Sequence, residues 1–129
     1  MKLGLLGRTL GHSFSPRIHN ALGNTNYELF EREPSQLQKF FADQELQGIN
    51  ITFPYKVNAL EACDVVDPRA ERIGCVNTMV RKDGKWHGYN TDYDGFVFTL
   101  KHAGIDVSGK ECIILGDGAS SATVHVALE

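Results

Sequence analysis

Short apolar runs and segments of helical periodicity alternate along most of this chain. Residues 2–7 (KLGLLG) form a compact apolar run ending in glycine, which is typical of a buried β-strand. Residues 26–31 (NYELFE) alternate between polar and apolar side chains and predict a second strand. Residues 48–53 (GINITF) are rich in β-branched side chains and predict a third. Residues 111–115 (ECIIL) predict a further strand of the buried type.

Signals for the start of a helix lie between and after these runs. Each is a capping residue, a first-turn proline, or both. They occur at Ser15-Pro16, Pro34-Ser35, Pro54, Asp67-Pro68 and Thr91 or Asp92. We expect Ser15 to cap the first helix, which should run to about Gly23, and Gly104 to end the helix that starts near Thr91. The second helix is predicted from apolar side chains at helical spacing, namely Leu37, Phe40, Phe41 and Leu46.

A β-hairpin is predicted in the middle of the chain. Residues 75–81 and 85–89 flank the turn Lys82-Asp83-Gly84, with Asp-Gly at its tip. Strands alternating with helices predict an α/β fold, with a mostly parallel sheet flanked by helices and a truncated Rossmann-like β-α unit at the C-terminus. A break near residues 103–108 divides the chain into a domain at 1–103 and the β-α unit at 104–129.

Composition narrows the classes of function. The 129 residues can bury a substantial core, and 42% hydrophobic with 22% charged residues is typical of a soluble globular protein. A net charge of −3 gives no indication of nucleic-acid or membrane binding. Three cysteines without CxxC spacing are expected to be reduced, packed thiols of a cytoplasmic protein. The five histidines show no metal-site spacing, so no metal is expected.

Polar side chains follow the predicted strands, where a parallel sheet usually binds its ligands. They are Ser13, Ser15, Asn50, Thr52, Lys56, Asn77, Asn90, Thr91 and Asp92. Hydroxyls and amides suit a small hydroxylated or carboxylated ligand, and a lysine beside a carboxylate, as with Lys56 and Asp92, can act as an acid or base. Structural interpretations stay open: Ser15 and residues 90–92 as helix caps, Asn77 as a backbone partner in the hairpin, and Lys56 as a solvated lysine.

Residues 115–122 (LGDGASSA) follow a predicted strand and precede a predicted helix. This is the context of a dinucleotide phosphate loop, in which glycines let backbone amides approach a pyrophosphate. Gly116 and Gly118 fit that pattern, but Ser121 occupies the place of a third glycine or alanine. An ordinary tight strand–helix turn is the alternative.

Four segments, taken together and in order, resemble the motif set of the shikimate dehydrogenase family. They read GRTLGHSFSPRIHN at 7–20, GINITFPYK at 48–56, IGCVNT at 73–78 and GYNTDYDGF at 88–96. This resemblance covers essentially the whole chain and implies a substrate domain joined to a Rossmann domain, with the active site in the cleft between them. It also implies NADPH-dependent reduction of 3-dehydroshikimate to shikimate, in the biosynthesis of chorismate and the aromatic amino acids.

The resemblance also implies roles for individual residues. The substrate ligands would be Ser13 and Ser15 at the carboxylate, with Thr52, Asn77 and Asp92. The cofactor loop would comprise Gly116, Gly118, Ala119 and Ser120. Lys56 would be the catalytic acid–base group at the carbonyl that receives the hydride, and Asp92, also catalytic, would hydrogen-bond Lys56 and the substrate hydroxyls. That chemistry is reasonable, because hydride addition builds negative charge on oxygen, which a nearby ammonium stabilises and protonates.

Two departures from the family pattern modify the expectation for this chain. Its glycine loop lacks the usual basic residue, and Asp117 adds negative charge, which weakens the expected binding of NADP. Family members also continue well beyond this length, so the isolated chain is predicted to bind substrate without catalytic activity. The alternatives are a non-catalytic shikimate-binding remnant and a quinate/shikimate dehydrogenase relative. Residues 105–129, which include the orphan strand at 111–115, are expected to pack irregularly on their own domain or to pair with a second copy.

Overall fold

The computed structural model describes all residues from Met1 to Glu129. Its six strands are β1 (Lys2–Gly7), β2 (Tyr27–Glu31), β3 (Leu46–Ile51), β4 (Val65–Val66), β5 (Thr78–Lys82) and β6 (Lys85–Tyr89). They form one sheet in the order β2-β1-β3-β5-β6-β4. The pairs β1–β2, β1–β3 and β4–β6 are parallel, and β3–β5 and β5–β6 are antiparallel. The predicted α/β class is confirmed, with a mixed sheet in which the parallel pairs outnumber the antiparallel ones.

Six α-helices surround the sheet. They are α1 (Ser15–Ala21), α2 (Leu37–Phe41), α3 (Lys56–Glu61), α4 (Pro68–Ile73), α5 (Asp92–His102) and α6 (Ala119–Leu128), with a 3₁₀ turn at Pro34–Gln36 before α2. The start of α4 is confirmed in detail, because the Asp67 side chain accepts hydrogen bonds from the backbone N–H groups of Arg69 and Ala70. The predicted stop near Gly104 is also confirmed, since α5 ends at His102 and Gly104 has a left-handed φ of 67°.

Three details of the predicted elements are wrong. Ser15 does not cap α1 but is its first residue, and its backbone N–H donates to the hydroxyl of Ser13 at 3.2 Å. Leu46 begins β3 instead of continuing α2, because that helix ends at Phe41. Pro54 lies in a turn, closed by the 3.0 Å bond from Tyr55 N to Thr52 O, and α3 starts only after it.

The predicted hairpin is confirmed, and it determines where several site residues lie. Asp83 and Gly84, at its tip, both have positive φ values, 51° and 75°, as a two-residue type I′ turn requires. β5 then pairs with β3 in the register that places Asn50 beside Thr78. Because β5 runs antiparallel to β3, the start of β5 lies at the same edge of the sheet as the end of β3.

The hydrophobic core fills one face of the sheet. Strand residues such as Leu6, Ile49 and Met79 pack there against α2 and α3. The indole of Trp86 belongs to this core, and its Nε1–H donates to the Phe41 carbonyl at 2.9 Å. The guanidinium of Arg81 stacks over Trp86 at 4.1 Å from the ring centroid. The hairpin is thereby fixed to the core, so that the polar residues at its open end have a rigid support.

The strand predicted at residues 111–115 does not form. Residues 103–118 contain neither helix nor strand, and Ile113 and Leu115 are 83% and 94% exposed. An apolar run becomes a strand only when it pairs with a neighbouring strand, and no strand of the six-stranded sheet pairs with this one. Within residues 105–129, the segment before α6 is irregular and largely exposed, whereas α6 packs against α4 and α5. Pairing with a second copy stays a prediction.

The helix expected after the glycine loop does form, as α6, and it contacts α4 and α5. Thr123 of α6 is 1% exposed, and Glu129 forms an ion pair with Arg72 of α4.

None of the six helices is both long and apolar enough to cross a membrane. Of the three thiols, Cys75 is buried and Cys63 is partly buried. Cys112 is exposed, because it lies in the irregular segment. The prediction that all three thiols are packed is therefore wrong for Cys112.

Alanine substitutions at two glycines test the packing of the fold, because they should change the free energy of unfolding in opposite directions. A Cβ atom on Gly4 would lie 2.2 Å from the Glu28 carbonyl oxygen, within the β1–β2 ladder, whereas one on Gly95 in α5 would meet nothing within 4 Å. We expect Gly4→Ala to lower the free energy of unfolding by about 1–3 kcal/mol or more. We expect Gly95→Ala to raise it by about 0.5–1 kcal/mol. Urea denaturation measures both, and equal effects of the two substitutions would contradict this packing.

Candidate active site

Most of the predicted site residues lie at one edge of the sheet. Ser13 and Ser15 follow β1, Thr52 and Lys56 follow β3, Asn77 precedes β5, and Asp92 follows β6. The antiparallel entry of β5 brings Asn77 to the edge where β3 ends, although more than twenty residues separate Asn77 from Thr52 in sequence. The topology thus brings together side chains that sequence order alone leaves apart.

The ammonium of Lys56 and the carboxylate of Asp92 form a direct ion pair. Lys56 Nζ lies 2.6 Å from Asp92 Oδ2, and the two side chains are 13% and 39% exposed. Each residue is the first of its helix, Lys56 of α3 and Asp92 of α5. A carboxylate is favourable at a helix N-terminus and an ammonium is not, so Asp92 compensates the placement of Lys56. The pair is accessible enough for a ligand and shielded enough to be ordered.

Asn77 holds the other oxygen of the Asp92 carboxylate. Its Nδ2 donates to Asp92 Oδ1 at 2.8 Å and to Thr91 Oγ1 at 2.9 Å, while its Oδ1 accepts from the Thr91 backbone N–H at 2.9 Å. Asn77 is only 8% exposed. Its amide therefore has little freedom to rotate and fixes the direction in which Asp92 faces Lys56.

Thr91, which the sequence placed both among the polar side chains at the strand ends and among the possible helix caps, lies at the candidate site. It occupies the cap position of α5, but its side chain makes no capping hydrogen bond and contacts Asn77 instead. The residue is exposed at the same edge as the ion pair. Its position after β6 identified it as a candidate, although the resemblance to the family gave it no role.

A cavity of about 320 Å³ contains the predicted carboxylate ligands. Ser13, Ser15 and Thr52 line it together with His12. The loop that carries the serines is held by Leu10, whose backbone N–H donates to Glu31 Oε1 at 2.6 Å, and by the 2.9 Å bond from Ser13 N to Leu10 O. Two serine hydroxyls and a threonine hydroxyl in one cavity can donate to a carboxylate or hydroxyl ligand.

A second cavity, of about 460 Å³, separates the ion pair from the glycine loop. One wall contains Thr52 and Lys56, and the other contains the predicted cofactor residues Gly116, Gly118, Ala119 and Ser120. Gly116 has φ of 124°, a conformation that favours glycine, and the Ser121 hydroxyl donates to its carbonyl at 2.7 Å. Ser121, which breaks the usual glycine pattern, therefore closes the turn. Thr52 lines both cavities, so they meet beside the lysine.

A buried polar cluster joins α6 to the end of β6. Asn90 Nδ2 donates to the Cys75 carbonyl and to Thr123 Oγ1, both at 3.2 Å, and the Thr123 hydroxyl donates to the Ala119 carbonyl at 3.0 Å. Asn90 Oδ1 also accepts from Tyr93 N at 3.3 Å, which agrees with its predicted capping role. This cluster ties the helix after the glycine loop to the segment that carries Asp92.

Burial alters the acidity of two thiols near these elements. Loss of hydration raises the pKa of Cys75, partly offset by its hydrogen bond with Thr123. Burial likewise raises the pKa of Cys63 to about 11, with a contribution from the charge of Asp64. Both thiols therefore stay protonated at neutral pH. No group of three or more His, Cys, Asp or Glu side chains is arranged to hold a metal ion.

The ammonium–carboxylate pair beside these two cavities of an α/β domain is a candidate small-molecule site, and comparison with known proteins gives the family. Residues 5–79 match the shikimate dehydrogenase substrate binding domain. The shikimate dehydrogenase (NADP(+)) of Clostridium perfringens is 38% identical over 138 residues, covering 100% of this chain and 51% of that protein. The chain belongs to the shikimate dehydrogenase family, as its motifs predicted.

Solved structures agree with this assignment. Shikimate dehydrogenase 1 from Peptoclostridium difficile superposes with a TM-score of 0.93 at 36% identity, covering 99% of this chain and 51% of that one. Shikimate 5-dehydrogenase from Thermus thermophilus, solved in complex with NADP(H) and shikimate, gives 0.89 at 35% identity, covering 99% and 51%. The chain thus spans about half the length of the relatives it matches.

The accessibility of the three thiols to a reagent tests the burial of Cys75 and Cys63 near the candidate site. We expect a thiol-specific disulfide reagent at mildly alkaline pH to label Cys112 rapidly, and Cys63 and Cys75 only slowly, because burial keeps the latter two protonated. Substituting Cys112→Ser should remove the rapid phase and leave the slow ones. A rapid phase that persists in Cys112→Ser would contradict the packing of Cys75 beneath the site.

Proposed function

We propose that this chain provides the substrate-binding half of an NADP-dependent shikimate dehydrogenase, which reduces 3-dehydroshikimate to shikimate in the biosynthesis of chorismate and the aromatic amino acids. The observation that supports this most directly is the Lys56–Asp92 pair, 2.6 Å apart, which lies beside one cavity rich in hydroxyls and another bordered by the glycine loop. Shikimate carries one carboxylate and several hydroxyls, so both ends of such a ligand find partners of suitable chemistry.

Substrate would lie across the ion pair, with its carboxylate in the serine cavity. Ser13 and Ser15 would donate to that carboxylate, which needs no fixed cation if several hydroxyls surround it. Thr52, Asn77 and Asp92 would hold the ring hydroxyls. Because Asn77 and Asp92 are already hydrogen-bonded to each other, they need little reorganisation when the ligand binds.

Lys56 would supply the proton of the reduction. Negative charge develops on the carbonyl oxygen as a hydride adds to the neighbouring carbon, and an ammonium within reach of that oxygen stabilises the charge and donates a proton to it. Asp92 holds Nζ of Lys56 at 2.6 Å and thereby limits the directions in which the ammonium can point. Lys56 and Asp92 are the proposed catalytic residues.

NADP, when bound, would supply the hydride. The glycine loop fits a dinucleotide in part: the Cβ positions of Gly116 and Gly118 are open, so backbone can approach a phosphate, and α6 begins directly afterwards at Ala119. Ala119 and Ser120 would complete the contact. Asp117 lies in the same loop and would repel a phosphate, which supports weak binding of NADP by this chain.

A second candidate, a shikimate-binding unit without catalytic activity of its own, is favoured by the irregular segment. Residues 103–118 form no strand, and Ile113 and Leu115 are exposed. A dinucleotide fold needs that strand within a parallel sheet to support its phosphate loop. Isolated, the chain would therefore bind substrate and hold the cofactor loop loosely.

Titration of the purified chain with shikimate, followed by calorimetry, tests the binding proposal. We expect saturable binding that Lys56→Ala weakens by about tenfold or more, because a charge-assisted hydrogen bond to the ligand is lost. Lys39→Ala is the matched control, since Lys39 is an exposed lysine of α2 remote from the site, and it should leave the affinity unchanged. Absence of binding, or equal binding by Lys56→Ala, would contradict the proposal.

The same preparations distinguish the enzyme from the binding unit. We expect no shikimate-dependent reduction of NADP by the isolated chain, even at saturating shikimate. Turnover that Asp92→Asn abolishes would show instead that these residues form a complete catalytic centre.

A further inference from the structure

An uninterrupted path of hydrogen bonds leads from Tyr27, on the edge strand β2, to the carboxylate of Asp92. The Tyr27 hydroxyl donates to Asn50 Oδ1 at 2.8 Å, and Asn50 Nδ2 donates to Thr78 Oγ1 at 3.1 Å. The Thr78 hydroxyl donates to Asn77 Oδ1 at 3.0 Å, and Asn77 Nδ2 donates to Asp92 Oδ1 at 2.8 Å. We call these five residues the relay. Its residues lie on β2, on β3, at the start of β5 and at the start of α5, so it connects the edge strand β2 to the candidate active site.

A backbone group fixes the direction of every bond in the relay. The N–H of Thr91 can only donate, and it donates to Asn77 Oδ1, so Asn77 must present its NH₂ group to Asp92. With that oxygen as acceptor, Thr78 donates to it and accepts from Asn50. Asn50 then presents its carbonyl oxygen to Tyr27, which must be the donor. All donors therefore point toward Asp92, and hydrogen bonds aligned in one direction reinforce one another.

Tyr27 is well placed to act as the fixed end of the relay. Its ring stacks on the imidazole of His19 from α1, with centroids 3.7 Å apart and planes 10° from parallel. Burial raises the pKa of Tyr27 to about 12, so its hydroxyl keeps the proton it donates across the ordinary pH range. The stacking contact and the hydroxyl bond together define both the position and the orientation of the phenol.

We propose that Tyr27 is a positioning residue for the candidate active site: its hydroxyl holds the Asn50 amide. Through Asn50 and Thr78 it adds to the support that the Thr91 backbone N–H gives the Asn77 amide, which holds the Asp92 carboxylate toward Lys56. Tyr27 makes no contact with Lys56 or Asp92 itself. Without its hydroxyl, the Asn50 amide loses the partner of its oxygen and can turn, and that oxygen then competes with Asn77 Oδ1 for the Thr78 proton. The effect on ligand binding rests on the proposed function, but the orientation of the amides does not.

Tyr27→Phe removes the hydroxyl and keeps the ring that stacks on His19. We expect the side-chain amide resonances of Asn50 and Asn77 to shift in NMR spectra of the free chain, and the affinity for shikimate to fall about threefold to tenfold. Tyr89→Phe is the matched control: Tyr89 also lies in this sheet, but its hydroxyl accepts only from Lys82, outside the relay. That variant should leave both amide resonances and the affinity unchanged.

Variants of Thr78 separate the relay from simple packing. Thr78→Val preserves shape and removes the hydroxyl, whereas Thr78→Ser keeps the hydroxyl, so serine should retain the affinity that valine loses. If Tyr27 acts through Thr78, Tyr27→Phe should add little to the loss already caused by Thr78→Val. Fully additive losses in the double variant would overturn the proposal.

Three results decide the inference. Shifted amide resonances in Tyr27→Phe, with weaker binding and non-additivity, support it. Unchanged resonances of Asn77 in Tyr27→Phe, or equal effects of Tyr27→Phe and Tyr89→Phe, overturn it. If the unaltered chain does not bind shikimate, the proposed function fails, and the amide resonances of the free chain alone then decide whether the relay exists.

Discussion

The buried amide of Asn77 is the contact on which the candidate site depends. It is 8% exposed and accepts the backbone N–H of Thr91 while donating to the carboxylate of Asp92. One side chain thus joins the entry of β5 to the start of α5. Lys56 at the start of α3 then has a fixed anion opposite it, 2.6 Å away. An unpaired lysine at a helix N-terminus would be electrostatically unfavourable. The contact between Asp92 and Lys56 therefore both orders the site and stabilises the start of α3.

The scaffold supports that contact through the antiparallel entry of β5. In a fully parallel sheet, Asn77 would begin its strand at the opposite edge from Lys56. The hairpin reverses the direction, and its Asp83-Gly84 turn fixes the register that places Asn50 beside Thr78. Trp86 and Arg81 anchor the hairpin to the core on the other face of the sheet. The position of the hairpin that supports the site is therefore determined by two independent constraints, the tight turn and the anchoring to the core.

Much of the fold could be predicted from local pattern. The apolar run of β1, the Asp-Gly hairpin and the Asp67-Pro68 start of α4 each carry their signal within a few residues, and all three are confirmed. Residues 111–115 were predicted wrongly because a strand requires a partner, which an apolar pattern cannot provide. Ser15 was assigned as a cap because Ser-Pro is a common helix start, but it is the first helical residue, and its N–H donates to the hydroxyl of Ser13, two residues earlier.

The candidate site was predictable only in part, because its motifs are local and its contacts are not. Lys56 and Asp92 could be paired from the charges and from the resemblance to the family. Thr91, Tyr27 and Thr123 acquire their roles from partners far away in sequence, and no periodicity indicates those partners. The link from Tyr27 to Asn50 depends on strand order, and that from Thr123 to Asn90 depends on how α6 packs.

A crystal structure of this chain with shikimate bound tests the central claim most directly. The account predicts the carboxylate of shikimate between the hydroxyls of Ser13 and Ser15, and ring hydroxyls within hydrogen-bond reach of Lys56 Nζ and the Asn77–Asp92 pair. Shikimate bound elsewhere, or turned so that its carboxylate contacts Lys56, would contradict it.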